Sequence, residues 1–261
     1  MQDTMIKAVF LDFDGTVYSH RYDTIPKNTV KALKKLNEKG ILTFLCTGRA
    51  PIELEWFDLS KINLTGMILS NGQVVFNDKK EIIYEKAIEG KLKEELIRIY
   101  NEKRIPIYLA TRDEVILNYL ADIVVKVQNA VSSNIPQVKP YNDKNFYMAS
   151  VFVDNKQYYD EIMKLQDIAE ITYWHQGACD IVPKGVSKTV GIDETLKLYD
   201  IDISQTLAIG DGENDIGMLK HCAIGIAMGN SPDYVKEVAD YITDDIDDDG
   251  LYKALKYFEL I

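Results

Sequence analysis

Cysteine and histidine are scarce in this chain of 261 residues, and positive charge is outnumbered by negative. Its three cysteines, Cys46, Cys179 and Cys222, are widely spaced and odd in number. They do not make a disulfide framework, and they fit a reducing compartment, so a cytoplasmic location is expected. The three histidines, His20, His175 and His221, are scattered, and no CxxC or HExxH occurs, so the ligand spacing of a zinc site is missing. Lys and Arg number 30 against 41 Asp and Glu, a net charge of −11. Binding to nucleic acid needs a basic footprint, so no nucleic-acid partner is expected. No apolar run approaches the ~18 residues of a membrane span, so no membrane association is expected either. The start, Met1-Gln2-Asp3-Thr4-Met5, lacks the basic and apolar regions of a secretion signal. Internal repeats and low-complexity segments are absent as well.

What is present is an ordinary globular balance, 46% hydrophobic and 27% charged, which excludes wholesale disorder. The length allows one or two domains. Two stretches alternate strand and helix patterns. In the first, Ala8–Leu11 is a short continuous apolar run, the mark of a buried parallel strand. Pro26 opens a helix with Val30, Leu33 and Leu36 on one face, and Gly40 ends it. Strands follow at Ile41–Cys46 and Met67–Leu69, with a short helix at Ile52–Phe57 between them. Val74–Phe76, the polar turn at 77–80 and Ile82–Tyr84 read as a hairpin. The rhythm returns with helices at Ser187–Tyr199, Ile216–Cys222, Val235–Ala239 and Leu251–Phe258, and strands at Thr206–Ile209 and Ala223–Met228. The expected fold is α/β, a Rossmann-like, doubly wound parallel sheet. Residues 83–183 read differently, with helices at Leu92–Lys103 and near Tyr158–Leu165 and strands at Ile105–Ala110, Tyr147–Val153, Ile171–Trp174 and Asp180–Val182. They predict an inserted α+β cap, with residues 1–82 and 184–261 forming a discontinuous core.

Four segments carry the chemistry. Asp12-Phe13-Asp14-Gly15-Thr16 places two carboxylates beyond the first strand, where ligands bind in open α/β sheets. Thr47-Gly48-Arg49 follows the second strand, and a hydroxyl, an open backbone N–H and a guanidinium fork suit an anion. Lys188 follows Ser187 in the first turn of a helix, where the dipole favours anions over cations. Gly210-Asp211-Gly212-Glu213-Asn214-Asp215 follows another buried strand. It is not a GxGxxG fingerprint, because its sixth residue is Asp215. Each of the first three has a plainer alternative alone: an Asp-rich turn, a helix N-cap with a surface Arg, a solvated lysine. Together they put carboxylates and phosphate donors at strand ends of one sheet. Two like charges about 4 Å apart cost roughly 4 kcal/mol at an effective dielectric near 20. Carboxylates gathered around a phosphate therefore call for a divalent cation, and hard oxygen donors point to Mg2+. The acidic run Asp244–Asp249 reads as a solvated loop before the last helix, since it lacks EF-hand spacing.

In this order the four segments resemble the four motifs of the haloacid dehalogenase superfamily of phosphohydrolases. Ala227-Met228-Gly229-Asn230, with Val235-Lys236 and Ala239-Asp240 after it, is similar to the Cof-like subfamily, as is an α/β cap inserted between motifs two and three. The likeness spans the core by motif and the insert by position and size. Asp244–Asp249 departs from it, being more acidic than the Asn-rich segment expected there. The resemblance implies that Asp12 is a nucleophile forming an aspartyl-phosphate and that Asp14 serves as general acid and then general base. It implies Mg2+ held by Asp12, the backbone carbonyl of Asp14, and Asp211, with Asp215 holding metal-bound water or orienting Lys188. Thr47, the Gly48 N–H, Lys188 and Asn214 would bind the phosphoryl oxygens, with Arg49 among the phosphate or substrate contacts. Arg112, Trp174 and His175 of the cap are candidate substrate contacts, with Arg112 or His175 placed to grip a sugar or second phosphate, while Trp174 reads first as a core aromatic. Asn71-Gly72 is a further candidate contact, which reads equally as a tight turn. The expected activity is Mg2+-dependent hydrolysis of small phosphorylated metabolites, sugar phosphates foremost, by a monomer or dimer. A phosphomutase on the same scaffold and a non-catalytic phospho-acceptor switch are the alternatives.

Overall fold

The computed structural model describes residues 5–261; Met1–Thr4, part of the start expected to carry no secretion signal, lie outside them. The elements of the first third are β1 (Ala8–Leu11), α1 (Lys27–Glu38), β2 (Leu42–Cys46), α2 (Pro51–Leu54), β3 (Gly66–Leu69), β4 (Val74–Asn77) and β5 (Ile82–Glu85). The middle holds α3 (Gly90–Glu102), β6 (Ile107–Ala110), β7 (Val115–Leu117), α4 (Asp122–Ala130), β8 (Gln137–Val138), β9 (Met148–Phe152), α5 (Lys156–Ile162), β10 (Ala169–His175) and β11 (Ala178–Pro183). The last part holds α6 (Lys188–Tyr199), β12 (Thr206–Gly210), α7 (Ile216–His221), β13 (Ile224–Ala227), α8 (Asp233–Lys236), β14 (Tyr241–Ile242) and α9 (Gly250–Tyr257).

Two compact units result. One comprises the described residues up to Thr47, Asp58–Glu85 and Ser187–Ile261; the other comprises Gly48–Phe57 and Lys86–Val186. The expected junctions at 82/83 and 183/184 lie three residues earlier than these. Residues 48–57, expected in the core, group with the inserted unit instead. Their side chains explain it: Arg49 bonds to Ser133, and Glu53 accepts from Tyr108.

The first unit is an eight-stranded sheet in the order β14-β13-β12-β1-β2-β3-β4-β5. The six strands from β14 to β3 are parallel. The hairpin β4–β5 extends that sheet antiparallel, so it is mixed at one edge rather than wholly parallel. β1 sits at the centre with every residue buried. Its register pairs Leu11 with both Ile209 of β12 and Leu45 of β2. That alignment brings the carboxyl ends of three strands level, so the loops after them emerge side by side. Phe10 and Phe44 stack across neighbouring strands at 5.2 Å, and both are fully buried. Burying each ring contributes roughly 1.5–3 kcal/mol. Ile192 and Leu196 of α6 and Met218 and Leu219 of α7 complete this core. α1 turns Thr29, Ala32, Leu33 and Leu36 inward, and Gly40 closes it in a left-handed conformation. α8 begins earlier than expected because Pro232 caps it.

The second unit is a six-stranded sheet in the order β10-β11-β9-β6-β7-β8. All pairings are antiparallel except β7–β8. α3 and α5 cover one face through Leu92, Leu96, Ile99 and Ile162. α4 covers the other through Val124 and Val127. The sequence reading missed α4, because its run of Val124, Val125 and Val127 favours strand. Tertiary burial of one face overrides that preference. The short strands β7, β8 and β14 were missed too. All three cysteines are free and buried. No helix among the described residues is long and apolar enough to cross a membrane.

Candidate active site

The first unit gathers its chemistry at the carboxyl ends of β1, β2 and β12. The Asp12 N–H still donates to Ile209 O (2.9 Å), which holds the residue in line with the sheet. The chain then folds back: the N–H groups of Val17 and Tyr18 both donate to Phe13 O (2.9 and 2.7 Å). Gly15 sits in this turn at φ +78°, and a Cβ there would lie 2.3 Å from Asp211 Oδ2. Only glycine lets the loops after β1 and β12 approach this closely.

Lys188 opens α6 and is 1% exposed. Its Nζ donates to Asp12 Oδ1 (2.5 Å) and to Asp215 Oδ1 (2.6 Å). The misfit of a lysine in a first helical turn is thus resolved by two buried carboxylates. The other oxygen of Asp215 accepts the N–H groups of Asp211 (2.9 Å) and Gly212 (2.8 Å). Asp211 accepts from Thr16 Oγ1 (3.2 Å) and Asn230 Nδ2 (3.1 Å). Asn230 also donates to Gly15 O (2.9 Å) and accepts the Ile246 N–H (3.1 Å).

One oxygen from each of Asp12, Asp211 and Asp215 lies within 4.8 Å of the other two. Burial, and then the Asp215 charge, push the Asp12 carboxyl well above its ordinary range. The same two causes push Asp211 up to about 7. Burial opposes a charged Lys188, but the carboxylates of Asp12 and Asp215 outweigh it and hold the ammonium protonated. Two carboxylates on one ammonium, with a third close by, can all be ionised in this buried place only if a cation offsets the charge. The donors are all carboxylate oxygens, so the set fits a hard ion such as Mg2+.

The other expected residues are placed as follows. Asp14 lies outside that trio; its carboxylate meets His20 Nε2 at 2.8 Å. As a metal ligand it is therefore left with the backbone carbonyl that the resemblance implies. Thr47 is buried at the end of β2, and its carbonyl accepts the Asn71 N–H (3.1 Å). Asn214 Nδ2 donates to Asn71 Oδ1 (3.1 Å), so Asn71 links two of the loops from a left-handed backbone at φ 53°. Gly48 is the first residue of the second unit. Arg49 is turned into that unit, donating to Ser133 Oγ (2.8 Å) and Val131 O (3.4 Å), with Phe57 under its guanidinium. Trp174 donates to Asp180 (2.8 Å), His175 accepts the Gly177 N–H in the turn of its own hairpin, and Arg112 stands exposed beyond β6. Asn230, Thr16 and His20 were given no role by the sequence reading. Asn230 follows the end of β13 and was open to the same strand-end argument; His20 lies in a loop with no comparable signal.

A haloacid dehalogenase-like hydrolase family model matches residues 9–255. The chain belongs to the haloacid dehalogenase-like hydrolases. Within that family, YkrA of Bacillus subtilis (strain 168) is 30% identical over 98% of both chains. The fold matches that of BT1666 of Bacteroides thetaiotaomicron, a phosphatase of the superfamily, with a TM-score of 0.88 and 31% identity over 100% of this chain and 97% of that one. It also matches the subclass IIB sugar phosphatase BT4131, with a TM-score of 0.85 and 31% identity over 98% and 100% of the two chains. The haloacid dehalogenase-like chain described here is a phosphoric monoester hydrolase of the Cof-like kind.

Proposed function

We propose that the protein is a Mg2+-dependent phosphatase of small phosphorylated metabolites, sugar phosphates foremost, working through an aspartyl-phosphate on Asp12. The observation that carries this reading is the buried Lys188 bridging Asp12 and Asp215, with Asp211 alongside. The likeness to a sugar phosphatase supports the substrate class.

Asp12, Asp211 and Asp215, with the Asp14 carbonyl, would hold Mg2+, which supplies positive charge against the phosphate. The chain's own residues do the rest. Lys188 keeps one Asp12 oxygen fixed and leaves the other to attack phosphorus. As the Asp12–phosphorus bond forms, the bond to the leaving oxygen breaks, and its electron pair stays on that oxygen. Asp14 gives that oxygen a proton. Asp14 then takes a proton from water, whose oxygen attacks phosphorus and releases Asp12 and inorganic phosphate. Thr47, the Gly48 N–H one peptide further on, Lys188 and Asn214 bind the charge spread over the phosphoryl oxygens. Arg49, held by Ser133 and Val131, is a candidate contact for the remainder of the substrate.

The test is phosphate release from a panel of sugar phosphates, with Mg2+ and after chelation. Asp12→Asn should lower turnover at least about 10³-fold, as loss of a nucleophile does, and chelation should abolish it. Full turnover by Asp12→Asn would remove Asp12 as the nucleophile. Release of an isomer without phosphate would make the protein a mutase.

A further inference from the structure

His20 has no part in the scheme above, yet its imidazole meets the residue proposed to move the proton. We propose that His20 is a positioning residue for Asp14, holding one carboxylate oxygen so that the other faces the leaving group and then the attacking water. This rests on the reading of Asp14 as acid and base.

The loop that carries His20 is tied down on both sides. Gly15 N–H donates to Tyr18 O (3.0 Å), and Ser19 and Thr24 exchange backbone bonds (2.9 and 3.2 Å). Ser19 Oγ donates to Asp247 Oδ1 (2.6 Å), and Tyr18 OH donates to Asp23 Oδ1 (2.7 Å). The Tyr18 ring stands edge-on against the imidazole at 5.5 Å. The ring is therefore fixed by backbone and packing before it meets any substrate. Nε2 lies 2.8 Å from Asp14 Oδ1, while Nδ1 is buried without a hydrogen-bond partner. The imidazole thus spends its polar contact on Asp14 alone, and a buried polar atom left unpaired in a well-packed loop calls for a reason.

The contact bears directly on how Asp14 is oriented. Its side chain is 33% exposed, and the terminal torsion of a carboxylate is broad, so a solvated Asp14 would point in many directions. A bond to Oδ1 restricts the carboxylate to one plane. In the first half-reaction the Oδ2 proton passes to the leaving oxygen as its bond to phosphorus breaks. In the second, Oδ2 takes a proton from the water that attacks the aspartyl-phosphate. His20 stays on Oδ1 through both half-reactions.

Rapid-quench measurement of phosphoryl transfer to the enzyme, with Mg2+ present, tests this. Two donors are compared: a hexose 6-phosphate, whose alkoxide needs a proton to leave, and p-nitrophenyl phosphate, whose phenolate does not. General acid catalysis contributes about 10²–10⁴-fold, so His20→Phe should slow transfer from the sugar phosphate at least about tenfold and from p-nitrophenyl phosphate less than about threefold. His20→Gln, with an amide N–H in place of Nε2, should recover most of the sugar-phosphate rate. Equal slowing with both donors, or no slowing with either, overturns the inference while leaving the phosphatase reading intact. Absence of phosphate on Asp12 in the unmodified enzyme overturns both.

Discussion

Carboxylates serve opposite ends in the two units. In the first, burial and the charge of Asp215 push Asp211 up to about 7. In the second, hydrogen bonds from Lys139 and Lys144 hold Glu114 down at about 2. Each of those lysines reaches a different Glu114 oxygen at 2.8 Å, and Asn142 adds a third donor. Glu114 has every need met by its neighbours. Asp12 and Asp215 share a single lysine with Asp211 beside them, and keeping all three ionised is unfavourable without a further cation. The lesson is one of division. The inserted unit uses charge to hold itself together, while the core concentrates charge at a cost that a cation and a phosphoryl group would relieve.

The sharpest way to break that contrast is to remove the shared lysine. Lys188→Met leaves Asp12 and Asp215 buried without their counter-ion, and breaking a buried pair in this way costs about 3–5 kcal/mol. Urea denaturation of the metal-free protein should show that loss; a variant as stable as the parent would mean the charges are already relieved otherwise. A smaller effect is expected in the second unit from Asn118→Ala. Asn118 is fully buried, accepts from the N–H groups of Ile107 and Tyr119, and donates to the carbonyls of Ile105 and Tyr100. Stranding those groups should cost about 1–3 kcal/mol, with the turnover of the folded enzyme unchanged. A fall in turnover at constant stability would give Asn118 a role in the reaction.

How far these features were legible in the sequence follows from the same contrast. Asp12, Asp211, Asp215 and Lys188 were readable because apolar strands announce where their ends lie, and the strand register then brings those ends level. Their surroundings were not readable. Arg49 follows Thr47 directly yet bonds to Ser133, a partner far along the chain that no local pattern indicates. The acidic run was expected to be a solvated loop. Instead Asp247 accepts from Ser19, Asp249 from Asn28, and Asp244 from Lys253, so the run fastens the loop after β1 and the first helix to the end of the chain. Charge composition alone cannot distinguish solvated carboxylates from carboxylates with distant partners. Gly15 was readable as a turn residue, but its reason, the 2.3 Å approach to Asp211, needed coordinates.

A pair of opposed pH slopes is also expected. Asp211 ordinarily titrates near 3.8 and is raised to about 7 in the fold. Between those values the folded protein binds more protons than the unfolded one, so metal-free stability should be highest near pH 4, fall as pH rises through about 7, and level off beyond it. Glu114 runs the other way: its value drops from 4.5 to about 2. Its contribution is present above 4.5 and is lost as pH falls toward 2. Thermal melts across pH 3–8 should show the first slope vanish in Asp211→Asn and the second weaken in Glu114→Gln. Parallel curves for parent and variants would contradict both assignments.

The most direct measurement is a calorimetric titration of Mg2+ into the metal-free protein at pH 7, repeated in two buffers of different ionisation heat. Binding of one ion with release of protons, both lost in Asp211→Asn, is the predicted result. No binding, or binding that Asp211→Asn leaves unaltered, would contradict a cation shared by these carboxylates.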